Sequence, residues 1–483
     1  DVASELSDVE LGDARLNRRA RRMLAALSGN PERSFPKIWT DDSDLEAAYR
    51  FFGNVDVEPK ELLDAHATKS AKRAVAAGCR ILCLHDTSEL RIPLYFDELR
   101  RSNLGKKSSR QQGFDIHVGL LVADDAMATP LGTVAMQAFI GKDEVPDEQA
   151  AQFWRDRGGL YDNEMKRWRD GILDADEKLL GRTQPLVHVG DRELGRYNML
   201  AWMMSIGDDF VVRAALDQLR AAIGKNRVTL PDALTSLPWA GTLEANLASR
   251  PANRSGKATK SHPSRRNRKA TLSFRAGSVD LIRPSHKDSG ETYNPMGDQL
   301  PDTLTVNVVE VLEQHPPAGE PAIHWILTTT LPVDTIQQQL DVVRCYRRRW
   351  IIEEFFRALK QGCKFERRQL DSAWGLLVAL TLFLPVAWSL LLMQTAAAES
   401  PNAPWRQLFA QPVLTAIRRL APHIKLGAAS TVHDVYMAIA KLGGHLKRNG
   451  MPGWHTLIHG LSTLVSALKG MNSKSLFCDA INA

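Results

Sequence analysis

The spacing of apolar residues predicts helices in the first and last parts of this chain. Apolar side chains recur there every three or four positions, which is the period of a helix with one buried face. The pattern predicts helices over residues 11–27, 43–52, 374–398, 432–442 and 453–470. Asp13 stands just before the first helical pattern and is a suitable N-cap.

The apolar run at residues 374–394 is long enough to cross a bilayer. Pro385 interrupts it, no second run of this kind occurs, and the rest of the chain is basic and polar. We therefore prefer a buried, kinked helix, and we expect no membrane partner.

Between the helical ends, shorter apolar runs predict a mixed α/β region. Strands are predicted at residues 80–86, 115–123, 131–140, 185–191, 209–213 and 323–330, and helices at 163–180 and 197–206. This succession favours a mixed sheet with helices packed on it. From about residue 214 to 322 the pattern breaks into short β-like runs.

Composition narrows the class of protein. A chain of 483 residues is expected to form about two to four domains. Hydrophobic content of 44% and charged content of 24% are typical of a soluble globular protein. The five cysteines include no CxxC pair, which argues against disulfides and zinc and favours a cytoplasmic protein. No secretory signal is present. No Walker A sequence is present either, so no nucleotide cofactor is expected.

Positive charge is clustered along the chain, and the net charge of +6 suits a polyanionic partner. A stripe of arginines follows one face of the first predicted helix: Arg15, Arg18, Arg19 and Arg22. Residues 250–275 hold nine Lys or Arg and no acid, which predicts a mobile loop that orders on nucleic acid. Its candidate phosphate contacts are Arg265, Arg266, Arg268 and Lys269. The alternative for both clusters is a solubilising surface.

Two predicted strands end in an acid, Asp86 and Asp191. Acids at the carboxyl ends of strands lie where active sites form in α/β sheets. Glu353 is the candidate for a third carboxylate, contributed by a packed helix. Three carboxylates around two Mg²⁺ or Mn²⁺ ions suit in-line displacement at phosphorus. His85 and His188 face away from the acids and are interpreted as packing groups, or as groups that support the ligands from behind, and not as metal ligands.

Glu353 belongs to a helical pattern with one chemical face. At about 100° per residue, Tyr346, Arg349, Glu353 and Lys360 fall within about 60° of one another, and the opposite face is apolar. A carboxylate among cations suits a metal beside phosphates. The alternative is a surface helix with scattered charges.

The spacing Tyr346-x2-Arg349-x3-Glu353-x6-Lys360 resembles the YREK signature of bacterial cut-and-paste DDE transposases, the insertion-sequence-four family. Other runs are similar to this family along nearly the whole chain. They include Asp86-Thr-Ser, Asp191-Arg-Glu, Phe210-Val-Val-Arg213, Trp325-Ile-Leu and Tyr436-Met-Ala-Ile-Ala-Lys-Leu-Gly-Gly.

The resemblance implies a ribonuclease H-like, retroviral-integrase-like α/β core with a β-rich insertion, flanked by helical regions at both ends. It implies that Asp86, Asp191 and Glu353 bind the metal ions. It further implies phosphate contacts by Tyr346, Arg349, Lys360 and Arg213, and stacking of Trp325 on a base flipped out of the transposon end.

By the same resemblance, the domains are expected at residues 1–62 for DNA binding, 63–370 for catalysis with the insertion at about 215–322, and 371–483 for dimerisation. The expected partners are the double-stranded DNA of the transposon ends and target, and a second copy of the chain in a synaptic complex. Two alternatives stay open: a nuclease of the same fold without strand transfer, and a transposase-derived DNA-binding repressor.

Overall fold

The computed structural model describes residues 2–94, 102–161, 165–224, 226–247, 264–285, 293–446, 450–471 and 476–478. The chain divides into two compact units. The first unit comprises Asp1–Pro185 and Trp350–Ala483, and the second comprises Leu186–Arg349. The domain boundaries expected at residues 62 and 370 stay a prediction.

The sheet of the first unit is mainly an antiparallel meander. Its strands are β1 (Ile81–Pro93), β2 (Gly105–Ser108), β3 (Gln111–Ala123), β4 (Pro130–Gly141) and β5 (Leu160–Tyr161). Strand β3 pairs antiparallel with β1, β2 and β4, and β5 runs parallel to β4. The predicted hairpin over residues 115–140 is therefore confirmed as β3 and β4.

The helices of the first unit come from both ends of the chain. Those before the second unit are α1 (Ala14–Gly29), α2 (Phe35–Ile38), α3 (Asp42–Gly53), α4 (Pro59–Ala76), α5 (Glu148–Asp156) and α6 (Met165–Lys178). Those after it are α10 (Trp350–Arg357), α11 (Ala373–Glu399), α12 (Gln411–Leu420), α13 (Val432–Leu442) and α14 (Trp454–Gly470). Helix α1 begins as predicted, because the Asp13 carboxylate accepts the Arg15 N–H at 2.7 Å.

Helix α11 is the central helix of the first unit. It is long and apolar enough to span a membrane, yet its most apolar stretch is entirely buried inside the protein. Helices α1, α3, α4, α10 and α13 and strand β4 all pack against it. The predicted burial of this helix is confirmed, and Pro385 lies within it. Its apolar surface is therefore covered by protein on all sides.

A buried ionic network joins the N-terminal segment to this core. The Glu5 carboxylate, 3% exposed, is bonded to His66 Nδ1 at 2.6 Å and accepts a hydrogen bond from Arg73 Nη1 at 2.7 Å. The Arg73 guanidinium lies 4.1 Å from the centre of the Trp388 ring in α11. Burial by itself would raise the pKa of Glu5, but hydrogen bonds and charges from His66 and Arg73 lower it to about 2.

The sheet of the second unit starts with a parallel pair and continues antiparallel. Its strands are β6 (Leu186–Gly190), β7 (Asp209–Arg213), β8 (Arg220–Ile223), β9 (Asn226–Thr229), β10 (Gly241–Leu247), β11 (Arg268–Ile282), β12 (Thr303–Leu312) and β13 (His324–Thr329). The order is β6-β7-β13-β12-β11-β8-β9, and β10 also pairs with β11. The helices are α7 (Tyr197–Ile206), α8 (Leu230–Leu234) and α9 (Ile336–Arg348). Among the described residues after 214, strands β8 to β12 confirm the predicted β-like runs, whereas α8 is helical.

The prediction that Asp86 ends its strand is wrong. Strand β1 continues to Pro93, because β3 supplies a partner for every residue of β1 up to the pair of Pro93 with Gln111. Leu90 and Ile92 are fully buried and continue the alternation past Asp86. Asp191, in contrast, directly follows β6 as predicted.

Over residues 333–361 the pattern allows one helix or a broken pair, and the structure has the broken pair. Helix α9 ends at Arg348 and α10 begins at Trp350, so Arg349 separates two helices. Residues Ala358–Gly362 then form a π-helical turn, in which the rotation per residue differs from that of an α-helix. The constant rotation used to position Lys360 therefore does not apply.

The predicted basic loop is wrong in its second part. Residues from Arg268 onward belong to β11, which pairs with β10 on one side and β12 on the other. Residues 248–263, which include Arg250, Arg254, Lys257 and Lys260, lie outside the described residues.

Candidate active site

Asp191 marks the site in the second unit. It follows the buried strand β6, and its Oδ1 accepts the Glu193 N–H at 2.8 Å. Burial raises the pKa of Asp191 and the charge of Glu193 raises it further, whereas the charges of Arg349 and Arg192 lower it. The carboxylate is therefore held by the main chain and faces the positive charge of Arg349.

Tyr346 connects this acid to the other predicted DNA contacts of the unit. Its side chain is 8% exposed, and burial raises its pKa, while nearby Arg349 and Arg213 lower it. The Trp325 ring meets the Tyr346 ring edge-on, with 5.8 Å between the ring centres. The structure therefore brings together Asp191, Arg349, Tyr346, Arg213 and Trp325, which sequence reasoning had selected from four separate segments.

Strand pairing explains how Arg213 and Trp325 meet. Strand β7 pairs antiparallel with β13, which sets Arg213 opposite Leu327. The Arg213 guanidinium donates to the His324 carbonyl at 3.1 Å, directly before Trp325. On the other side of the same segment, His324 Nε2 lies 2.8 Å from Glu310 Oε1. The backbone at the half-buried Trp325 is thus fixed from two directions.

The first unit contains the other two predicted carboxylates. Asp86 lies within β1, opposite Val118, and its Oδ1 accepts the Thr87 N–H at 2.8 Å. Glu353 lies in the first turn of α10, the helix that packs against β1. The apolar residues Ile352 and Phe355 are fully buried, so the predicted apolar side of this helix is the side that packs. Both carboxylates are half-buried.

Lys360 also points back to β1. Its Nζ donates to the Glu89 carbonyl at 2.5 Å and lies 4.0 Å from the Glu366 carboxylate. Burial lowers the pKa of Lys360, whereas Glu366 and Glu89 raise it. The π-helical turn therefore delivers this ammonium group to the same strand that carries Asp86.

Each of the three predicted metal ligands suits a hard divalent cation. Asp86, Asp191 and Glu353 offer only carboxylate oxygens, which Mg²⁺ and Mn²⁺ prefer to nitrogen or sulfur. Burial raises the pKa of Asp191, and a bound cation would favour its charged form.

The predicted packing role of His85 agrees with the structure, because its ring is fully buried and stacks on His117 at 5.6 Å.

Sequence reasoning missed a polar network behind Asp86. Thr87 Oγ1 lies 3.0 Å from His117 Nδ1 and accepts a hydrogen bond from Arg167 Nε at 3.1 Å. Burial, and then the charge of Arg167, lowers the pKa of His117 to about 3, so its imidazole is neutral. The network fixes β1 at Asp86. No local spacing links residues 87, 117 and 167, so the sequence carried no signal for it.

A buried lysine was missed as well. The Lys107 side chain is 1% exposed, and its ammonium lies 2.8 Å from Asp115 and 2.7 Å from Glu144. Glu89 lies 3.8 Å away on β1. Lys107 therefore ties the short strand β2 to the strand that carries Asp86.

The N-terminal arginine stripe lies on α1 as predicted. Arg15, Arg18 and Arg22 are exposed, whereas Arg19 is half-buried and pairs with Asp44 of α3 at 3.3 Å. Three of the four side chains can therefore meet an external polyanion without leaving a buried position. Their contact with DNA stays a prediction.

The candidate contacts of the basic loop have different surroundings. Arg268 pairs with Glu313 and, at 2.9 Å, with Glu320 of the same unit. Hydrogen bonds to Glu313 and Glu320 raise the pKa of Arg268. Lys269 lies 3.8 Å from Glu244 and stays exposed. Arg268 therefore has internal acidic partners, which reduces its suitability as a phosphate contact, and Arg265 and Arg266 stay predictions.

Two parts of the chain match family models of known proteins. Residues 2–57 match the family model of transposase DNA-binding domains, and residues 204–384 match the model of transposase DDE domains. DDE domains of this kind have a ribonuclease H-like fold and use divalent metal ions. Among solved structures, the chain is similar to a piggyBac transposase synaptic complex with hairpin DNA. That similarity has a TM-score of 0.33 and 9% identity, and covers 82% of this chain and 77% of that chain.

Proposed function

We propose that this chain, a DDE transposase, moves a DNA segment by cut-and-paste transposition, and that it acts on the nucleoid in the bacterial cytoplasm. Water first attacks the phosphodiester at the transposon end and frees a 3′-hydroxyl. That hydroxyl attacks the opposite strand and forms a hairpin, which a second water opens. The freed 3′-hydroxyl then attacks target DNA. In every step one oxygen–phosphorus bond forms as another breaks, so one site can serve all four.

The observation that carries this proposal is the cluster around Asp191. A half-buried carboxylate, the guanidinium of Arg349 and two aromatic rings occupy one region of the second unit. The carboxylate suits a cation, the guanidinium suits phosphate oxygens, and the rings suit an unstacked base.

Each residue has a proposed role. Asp86, Asp191 and Glu353 hold two Mg²⁺ or Mn²⁺ ions, which when bound would activate the attacking oxygen and stabilise the leaving oxygen. Arg349, Arg213 and Lys360 bind phosphates near the cleaved end. The Tyr346 hydroxyl orients Arg349, and Trp325 stacks on the flipped base during the hairpin steps. The hairpin route rests on the resemblance to the insertion-sequence-four family.

The DNA partners follow from the same proposal. The helices of residues 1–62 bind the transposon end, and Arg15, Arg18 and Arg22 contact its phosphates. The helices after residue 371 hold a homodimer that brings two ends together before cleavage.

The decisive experiment compares two neighbouring acids. Glu353→Gln should abolish cleavage of DNA carrying the candidate inverted ends in Mg²⁺, because it removes a metal ligand. Glu354→Gln is the matched control, since Glu354 lies in the same helix and pairs with Arg357. Unchanged cleavage by Glu353→Gln would refute the assignment. Cut ends without joined products from the wild-type protein would favour a nuclease without strand transfer.

A further inference from the structure

A strongly basic cavity lies in the first unit. Its volume is about 470 Å³. Five cationic side chains and one carboxylate line it, together with a serine and a histidine: Arg33, Lys37, Lys364, Arg367, Arg368, Glu32, Ser34 and His459. Such an excess of positive charge in a concave site suits an anionic ligand.

Three segments of the chain build this cavity. The first is the start of α2 with the residues before it, and the third is His459 of α14. The second follows the π-helical turn, where Lys364 adopts a left-handed conformation with φ of 49°. This conformation is uncommon for a residue with a side chain, and it turns the chain so that Lys364, Arg367 and Arg368 line one cavity.

Arg368 is the most buried of the cations that line the cavity. Its residue is 3% exposed, and its two terminal nitrogens donate to the carbonyls of Pro31, Arg33 and Cys363. Within the described part of the chain, no carboxylate pairs with it and its buried Nε has no hydrogen-bond partner. Burial lowers the pKa of Arg368 to about 10, so it stays charged at neutral pH. A buried cation bonded only to neutral groups favours an anion nearby.

Glu32 already supplies one negative charge to this cavity. Its side chain is 10% exposed, and its carboxylate oxygens lie 2.7 Å from Lys364 Nζ and 3.5 Å from His459 Nε2. One carboxylate does not balance five cations, and it can compete with an external anion for Lys364.

We propose that this cavity binds a backbone phosphate of DNA, and that Glu32 competes with that phosphate. The inference rests on the proposed function. Glu32, Arg33, Ser34 and Lys37 belong to residues 2–57, which match transposase DNA-binding domains. Lys364 follows shortly after Lys360, a proposed contact near the cleaved end. One duplex lying along both segments would therefore be held close to the catalytic strand.

The test measures the salt dependence of DNA binding. All proteins are kept in EDTA without divalent cations so that no cleavage occurs, and binding to a short fluorescein-labelled duplex is followed by anisotropy over a series of KCl concentrations. Arg367→Gln removes an exposed cation of the cavity and should reduce the slope of log Kd against log [KCl] by about 0.9. Glu32→Gln should tighten binding several-fold at fixed salt. Arg419→Gln, an exposed arginine of α12, should leave the slope unchanged.

The outcomes separate the possible ligands. An Arg367→Gln slope equal to that of the control would overturn the inference, provided that both variants melt at the wild-type temperature. If inorganic phosphate raises the melting temperature of the wild type but not of Arg367→Gln, while the DNA slopes agree, the ligand is a free phosphate and the DNA contact is refuted. These results are independent of whether Glu353→Gln abolishes cleavage, so failure here leaves the proposed function standing.

Discussion

Replacing Glu5 by Gln should destabilise the first unit, because Glu5 is the only acid in contact with both His66 and Arg73 among the described residues. The pKa of Glu5 falls from an ordinary 4.5 to about 2 in the folded protein. At about 1.4 kcal/mol per pKa unit, this lowering of the Glu5 pKa stabilises the folded protein by about 3 kcal/mol at neutral pH.

The sign of the pH dependence follows from the direction of the shift. Because the pKa of Glu5 is lowered, its contribution to the unfolding free energy is complete above pH 4.5 and is lost as pH falls towards 2. The difference in unfolding free energy between the wild type and Glu5→Gln should therefore shrink from about 3 kcal/mol at pH 7 to about 1 kcal/mol at pH 3. Other carboxyl groups titrate in both proteins, so their effects cancel in the comparison.

Urea denaturation followed by tryptophan fluorescence at both pH values provides the measurement. Glu46→Gln is the control, because Glu46 forms an exposed pair with Arg50 at 3.1 Å and should cost less than about 1 kcal/mol. Equal midpoints for Glu5→Gln and the wild type at pH 7 would refute the reasoning. A difference that stays the same at pH 3 would show that lost packing, and not charge, is responsible.

Three further predictions concern the site and its supports. Lys107→Met should lower the unfolding free energy by roughly 3 kcal/mol in urea denaturation, since it leaves Asp115 without its buried cation. Arg349 lowers the pKa of Asp191, so in a plot of cleavage rate against pH the acid limb of Arg349→Gln should lie at higher pH than that of the wild type. An acid limb at the same pH in both proteins would argue against this coupling. Trp325→Ala should allow first-strand nicking but reduce hairpin formation on denaturing gels, whereas Trp325→Phe should retain part of it; equal loss of both steps would contradict the stacking role.

Much of the architecture followed from local spacing. Helix α7 and strand β7 have the predicted bounds, and the burial of α11 was expected from its long apolar run. These elements are specified by side chains close together in sequence, through the periods of 3.6 and two residues. The end of β1 was misjudged, although the alternation of Leu90 and Ile92 was available as a signal.

Residue chemistry selected the site, and three-dimensional contacts revised it. Asp191, Arg349 and Trp325 were chosen from residue type and from a family resemblance, and the second unit brings them together. Arg268 was chosen in the same way from a run of cations, yet its partners Glu313 and Glu320 lie about fifty positions further along. Charge clustering in sequence does not reveal which cations already have internal partners.

Element type and the buried faces could thus be read from neighbouring positions, because propensity and periodicity act over a few residues, whereas the choice of three acids stays a prediction. The extension of β1 depended on β3, the charge state of Glu5 depended on residues more than sixty positions away, and the basic cavity around Arg368 needed three remote segments. Strand pairing, burial and through-space charge act between groups that only folding brings into contact, so those features belong to the tertiary structure.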